Sequence, residues 1–126
     1  MSEAEISIKF EFLGLGSLDA VIIRHVSPLS ADAILDRLPM VLRGRFNFGS
    51  KQYWTLMNVG IRKGANLKAV RNFERGDIIY NPKSDEMIII LENIEMPNKM
   101  NKIGKILSDL SLFDKARNGL NCKITK

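Results

Sequence analysis

Six side chains in the middle of the chain have the types and spacing to hold a small ligand. Tyr53, Trp54, Met57 and Tyr80 offer apolar and aromatic surface, and Arg45 and Asn81 offer polar handles. Ligand sites combine a mostly apolar lining with a few placed polar groups, so these six form a candidate cleft for a small molecule or a peptide. On a strand through Tyr53–Met57, successive side chains point to opposite faces. Tyr53, Thr55 and Met57 then face one way, and Trp54 and Leu56 the other. At most one of Tyr53 and Trp54 enters a core, and the other faces solvent or a ligand.

Chemistry beyond binding has few groups to work with. The chain has one histidine, His25, and one cysteine, Cys122, whereas a metal centre needs several His, Cys or carboxylate ligands at suitable spacing. Neither a metal nor a cofactor is expected. The acidic pairs Asp85-Glu86 and Glu92/Glu95 lie in or beside turns and read as solvated. Asp77 follows Gly76 at a strand start and reads as a turn cap. The phosphate-cradling G-x-x-x-x-G-K-[ST] loop and the nucleophile elbow are both absent. Cys122 reads as a buried small hydrophobe in a closing strand.

The elements that must position these residues are mainly strands. Ile6, Ile8, Phe10 and Phe12 alternate with polar residues, the period of a half-buried strand. Gly14-Leu15-Gly16-Ser17 turns it into a second β-rich run, Leu18 to Val26, so the chain opens on a hairpin. Ala31, Ile34, Leu35 and Leu38 then mark one face of a short helix, capped by Ser27 or Ser30 and stopped by Pro39. β-like patterns return over 41–58, broken at Asn47-Phe48-Gly49-Ser50, then over Ile78–Tyr80, Met87–Leu91, Ile103–Leu107 and Leu120–Thr125. Residues 60–68 are basic and glycine-punctuated and read as an irregular connection. Residues 92–102, with their Asn, Pro and Lys, read as a long loop, in which Met96, Pro97 and Met100 form an apolar edge that packs back on the fold. Asp109–Ala116 reads as a second short helix. About eight strands and two short helices predict a mainly β, closed barrel. Side chains fill the interior of a barrel this size, which puts any site in a surface cleft beside a strand edge or loop.

Composition narrows the classes further. The 126 residues, 45% of them hydrophobic and 26% charged, suit a single domain over residues 1–126 and not a disordered chain. The longest apolar run, Met87–Leu91, is far short of the roughly 20 residues that span a bilayer. An acidic opening, Met1-Ser2-Glu3-Ala4-Glu5, and a single cysteine fit a cytoplasmic protein with no membrane partner. The net charge of +5 resolves into blocks: −4 over residues 1–36, +8 over 37–75, −4 over 76–96 and +5 over 97–126. The +8 block, interleaved with Phe46, Phe48, Tyr53 and Trp54, has the ingredients of a single-strand stacking platform. A barrel needs several of those aromatics inside, so the block reads as a solvated face and nucleic acid is not the expected partner.

Arg75-Gly76-Asp77-Ile78-Ile79-Tyr80-Asn81-Pro82, then Met87-Ile88-Ile89-Ile90-Leu91, then Asn101-Lys102-Ile103-Gly104-Lys105-Ile106, resembles the small prokaryotic cyclophilin-like domain proteins. That pattern has Gly-Asp, a strand ending in an aromatic and a proline turn, an apolar strand, and "N-x-I-G-K-I". Phe48-Gly49 with Tyr53-Trp54, and the helix ending in Leu38-Pro39, fall where the family has an aromatic-Gly with an aromatic strand and its "LP" helix. Phe48 stands in place of a family tryptophan, and Ser50 and Lys51 in place of an acid. The resemblance implies a cyclophilin-like β-barrel. True cyclophilins carry Phe-His-Arg and Gly-Ser-Gln-Phe-Phe signatures and use an arginine to polarise a prolyl amide nitrogen. Both signatures are absent, His25 lies elsewhere, and only Arg45 beside Phe46 offers a counterpart. The leading expectation is therefore a non-catalytic binding module, with prolyl isomerase or another enzyme activity as the alternative.

Overall fold

The computed structural model describes residues 4–47 and 51–126. The Phe48-Gly49 match and the Ser50 departure lie outside the described residues. Nine strands run in the order β1 (Glu5–Phe12), β2 (Gly16–Ile23), β3 (Met40–Phe46), β4 (Tyr53–Leu56), β5 (Val70–Phe73), β6 (Asp77–Asn81), β7 (Glu86–Ile90), β8 (Ile94–Ile106) and β9 (Asn121–Thr125). Helix α1 (Pro28–Arg37) separates β2 from β3, and a 3-10 turn at Leu110–Asp114 separates β8 from β9. α1 is too short to cross a membrane, and no other described helix is long and apolar enough to do so.

Eight strands close on themselves in the order β2-β1-β9-β3-β4-β7-β6-β8, with β8 returning to β2. Every pairing is antiparallel. The expected mainly β, closed barrel is what forms, and closure removes the unpaired edges that invite aggregation. The seam is tight: a Cβ at Gly104 would stand 2.2 Å from the Val21 carbonyl oxygen of β2. Only glycine lets the β8 backbone approach β2 that closely.

Alternation along the strands fills the interior. Ile8, Phe10 and Phe12 of β1, Leu18, Ala20 and Ile22 of β2, Trp54 and Leu56 of β4, Ile78 and Tyr80 of β6, and Met87 and Ile89 of β7 share one core. Phe12, Phe46, Trp54 and Phe113 meet edge-on, with Phe46 and Trp54 ring centroids 4.8 Å apart. Such pairs contribute about 0.5–1.5 kcal/mol beyond their buried area. The 3-10 turn delivers Leu110 and Phe113 to this core, and Asp109 caps it by accepting the Ser111 N–H at 2.7 Å. α1 packs Ala31, Ile34 and Leu35 inward. Its N-cap is Ser27, but the Ser27 hydroxyl makes no capping bond.

The sequence reading errs at residues 92–102. Ile94–Ile106 is one strand of 13 residues rather than a loop. Its second half pairs with β6 and β2 inside the barrel wall, and its first half pairs with β5, a strand outside the ring. The β5–β8 ribbon folds over the outside of the wall, where Phe73, Met96 and Met100 bury Ile79, Ile88 and Ile90 in a second core. Met96 and Met100 thus pack back on the fold as their composition suggested, but from a strand. The outer layer explains the continuous burial of Met87–Leu91, since both faces of β7 are covered.

Candidate functional site

The covering ribbon leaves part of the outer wall open as a cleft of about 550 Å³, within the range of small-molecule sites. Its floor is a row of outward-facing residues across three strands. Arg45 of β3 is paired with Thr55 of β4, and Thr55 with Ile88 of β7. Tyr53 lies two residues before Thr55 on the same face, and the Asn81–Glu86 pair closes the floor at the β6–β7 turn. Met96, Pro97 and Met100 of β8 form the apolar side. Neighbouring strands stand about 4.8 Å apart, so a guanidinium, a hydroxyl and a methyl-rich patch follow one another at intervals set by the backbone.

Asparagines hold the polar rim. Asn118 accepts the Phe46 N–H at 2.8 Å. Asn47 Oδ1 accepts the Gln52 and Tyr53 N–H groups at 2.9 and 3.2 Å, and the Asn47 amide donates to Gln52 Oε1 at 3.2 Å. Asn81 Oδ1 accepts from the Asn98 amide at 3.2 Å and from the Lys83 N–H at 3.1 Å. Arg71 Nε donates to the Met96 carbonyl at 2.8 Å, fixing the ribbon beside the cleft.

Of the six residues singled out from sequence, Arg45, Tyr53 and Asn81 line this cleft, and Trp54, Met57 and Tyr80 do not. Trp54 is fully buried inside the barrel, as the alternation of β4 requires once Tyr53 faces out. A Cβ at Gly44 would stand 2.3 Å from the Trp54 indole nitrogen, so the ring occupies the space that glycine leaves. Met57 follows the end of β4 and is half-buried beyond the cleft. Thr55, Glu86, Asn47, Asn118 and the β8 methionines complete the lining. Thr55 was legible through its parity with Tyr53; the β8 residues were hidden by the loop-like composition of their strand.

Tyr80 fails as a lining residue for a different reason. It points into the barrel with its hydroxyl 2.6 Å from Asp85 Oδ1. Asp85 is no solvated turn residue: it also accepts the N–H groups of Gly60, Ile61 and Arg62 at 2.7, 3.2 and 3.0 Å. Burial, then the hydrogen bond to Asp85, push the Tyr80 phenol up to about 12. Burial works upward on the Asp85 carboxyl too, but the bonds from Tyr80 and the loop amides outweigh it and hold the group below its ordinary 3.8. Asp77 caps its turn by accepting the Glu74 N–H at 2.9 Å, and pairs with Lys102 at 3.2 Å. Burial pushes the Cys122 thiol up to about 12, leaving it an inert apolar side chain. Among the described residues no three His, Cys, Asp or Glu side chains converge as a metal site would need.

Comparison with known proteins yields fold likeness alone. No protein-family model and no curated protein matches the sequence. Among solved structures, the chain is similar to the hypothetical protein AF2241 from Archaeoglobus fulgidus, with a TM-score of 0.78 at 14% identity over 98% of this chain and 96% of that one. It is also similar to McbB, solved in complex with tryptophan, with a TM-score of 0.75 at 9% identity. That match covers 94% of this chain and 44% of McbB.

Proposed function

We propose that this barrel is a non-catalytic module of cyclophilin-like type that binds a small molecule or a short peptide segment in the cleft on its outer wall. The observation that carries the reading is the cleft's combination of lining groups: apolar Tyr53, Ile88, Met96 and Met100 beside the Arg45 guanidinium and three side-chain amides. Such a lining suits a ligand with a flat or aliphatic body and a polar or anionic end, which Arg45 would meet. Among the described lining residues there is no His, Cys or Lys to act as base or activated nucleophile. Its one carboxylate, Glu86, already accepts the Ser84 hydroxyl at 2.6 Å. The tryptophan held by McbB makes aromatic amino acids a sensible first panel.

Screening amino acids, their carboxylated derivatives and proline-containing peptides by isothermal titration tests the reading. A ligand of this cleft loses at least tenfold in affinity with Tyr53→Ala and with Arg45→Ala, while both variants keep the native melting transition. Hits indifferent to both substitutions would contradict it.

A second reading, prolyl isomerisation, draws on the same arginine sharing the cleft with Met96 and Met100. An X–Pro bond rotates over a barrier of about 20 kcal/mol, which an arginine at the amide nitrogen and an apolar seat for the ring would lower. Acceleration of proline-peptide isomerisation that disappears with Arg45→Ala would establish it in place of the first.

A further inference from the structure

A second concavity, of about 370 Å³, forms where the connection between β4 and β5 meets the turn between β6 and β7. Arg62 and Lys63 come to it from the glycine-punctuated basic segment, and Lys83 from the turn. Asp85 is the one carboxylate in its lining, and its two oxygens are engaged by three backbone N–H groups and the Tyr80 hydroxyl. The three cations have no such engagement: among the described residues none of them forms an ion pair.

A solvated basic loop would be loosely held, and this one is not. Lys63 N–H donates to the Tyr80 hydroxyl at 3.3 Å. The fully buried Asn101 donates its amide to the Gly64 carbonyl at 2.9 Å and accepts the Asn66 N–H at 2.9 Å. The Arg37 guanidinium packs on Gly60, 3.2 Å from where a Cβ would stand. Three described residues other than glycine have positive φ, and all three line this concavity: Asn58 at 60°, Arg62 at 48° and Asp85 at 55°. Asn and Asp tolerate that conformation, but Arg gains nothing from it locally. Backbone held this way is found where a binding surface is preorganised.

We propose that this concavity is an oxyanion site that takes the phosphate or diphosphate group of a small metabolite. Three like charges lining one concavity repel, and a multiply charged anion relieves all three at once. Among the described residues none of the lining side chains is aromatic, which does not suit the base stacking of a single-strand binder. A compact phosphate group fits it better than a nucleic acid.

The test is an amide-resolved NMR titration of the full chain with inorganic phosphate, pyrophosphate and a nucleoside diphosphate, against sodium chloride at matched ionic strength. Saturable shifts at Asn58, Lys63, Gly64, Lys83 and Ser84 are expected. Tighter binding of the nucleoside diphosphate than of pyrophosphate would assign the group to an organic ester, and equal binding to the free anion. The Lys63→Ala/Lys83→Ala double variant should lose at least tenfold in affinity with its spectrum otherwise unchanged, while Lys115→Ala, outside both clefts, should lose nothing. The proposal is overturned by shifts that never saturate, by shifts spread equally over Lys115 and Lys123, or by full affinity in the double variant. Oligonucleotide binding tighter than pyrophosphate, with a salt dependence spanning several phosphates, would also overturn it.

Discussion

Asp85 is the residue on which the loops at one end of the barrel depend. Its carboxylate collects four donors from two separate segments, and bonds to a charged acceptor are stronger than neutral ones. Asp85→Asn should cost about 1–3 kcal/mol in urea unfolding, with the loss concentrated in the amide protection of Gly60, Ile61 and Arg62. The pH dependence follows from the direction of each shift. Because folding lowers the Asp85 pKa from 3.8, its stabilisation is complete above that value and is lost as pH falls through the lower folded value. Because folding raises the Tyr80 pKa from 10.0 to about 12, the phenol contributes stability below pH 10 that disappears as pH rises towards 12. Tyr80→Phe should flatten that alkaline limb in a series of urea titrations, and a slope unchanged by the substitution would refute the assignment. Gly44, like Gly104 at the seam, has no substitute. Gly44→Ala drives a methyl into the Trp54 ring, and should destabilise by about 2–3 kcal/mol with a change in tryptophan emission.

At the scale of elements, the strands that face the interior were legible and the outer layer was not. β1 has period two over its whole length, and a solvated outer face makes the period visible. β4 was readable to the level of parity, which put Tyr53 and Trp54 on opposite faces; packing decides that Trp54 is the one inside. What parity could not say is that the outward side is also covered, because the covering strand, β8, carries Pro97, Asn98 and Lys99 in its first half and exposes Pro97 and Lys99. Its pairing partner there, β5, is four residues long with a register shift between Val70 and Asn72, too short and irregular to leave a periodic signature. The same gap hid half of the candidate site, since Met96 and Met100 belong to this ribbon, while Arg45, Tyr53 and Asn81 lie on strands the sequence had already marked. A ribbon held by a small satellite core should open before the barrel does. Phe73→Ala removes its largest buried side chain and should cost about 3 kcal/mol. Hydrogen exchange should then be faster in β5 and in residues 94–100, with β1, β2 and β9 little changed. Equal acceleration across all strands would mean that ribbon and barrel form one cooperative unit.

For the whole molecule, closure of eight strands gives a rigid wall whose inside is filled and whose outside is free for function. The net charge of +5 is distributed accordingly. Arg45 from the +8 block meets the outer cleft and Arg62 and Lys63 from the same block meet the second concavity, where Lys83 from the acidic 76–96 block joins them. Trp54, one of the six cleft candidates from sequence, lies on the inner side of the wall, and its fluorescence should report unfolding better than binding. On the proposed function, the outer face of the β3-β4-β7 wall binds ligand beneath the β8 ribbon. A tight-binding hit from the amino-acid and peptide panel, mapped by amide chemical shifts on the full chain, tests this most directly. Perturbations are expected at Arg45, Asn47, Tyr53, Thr55, Asn81, Met96, Met100 and Asn118. Perturbations gathered on the β1–β2 hairpin or on α1, with these residues silent, would contradict it.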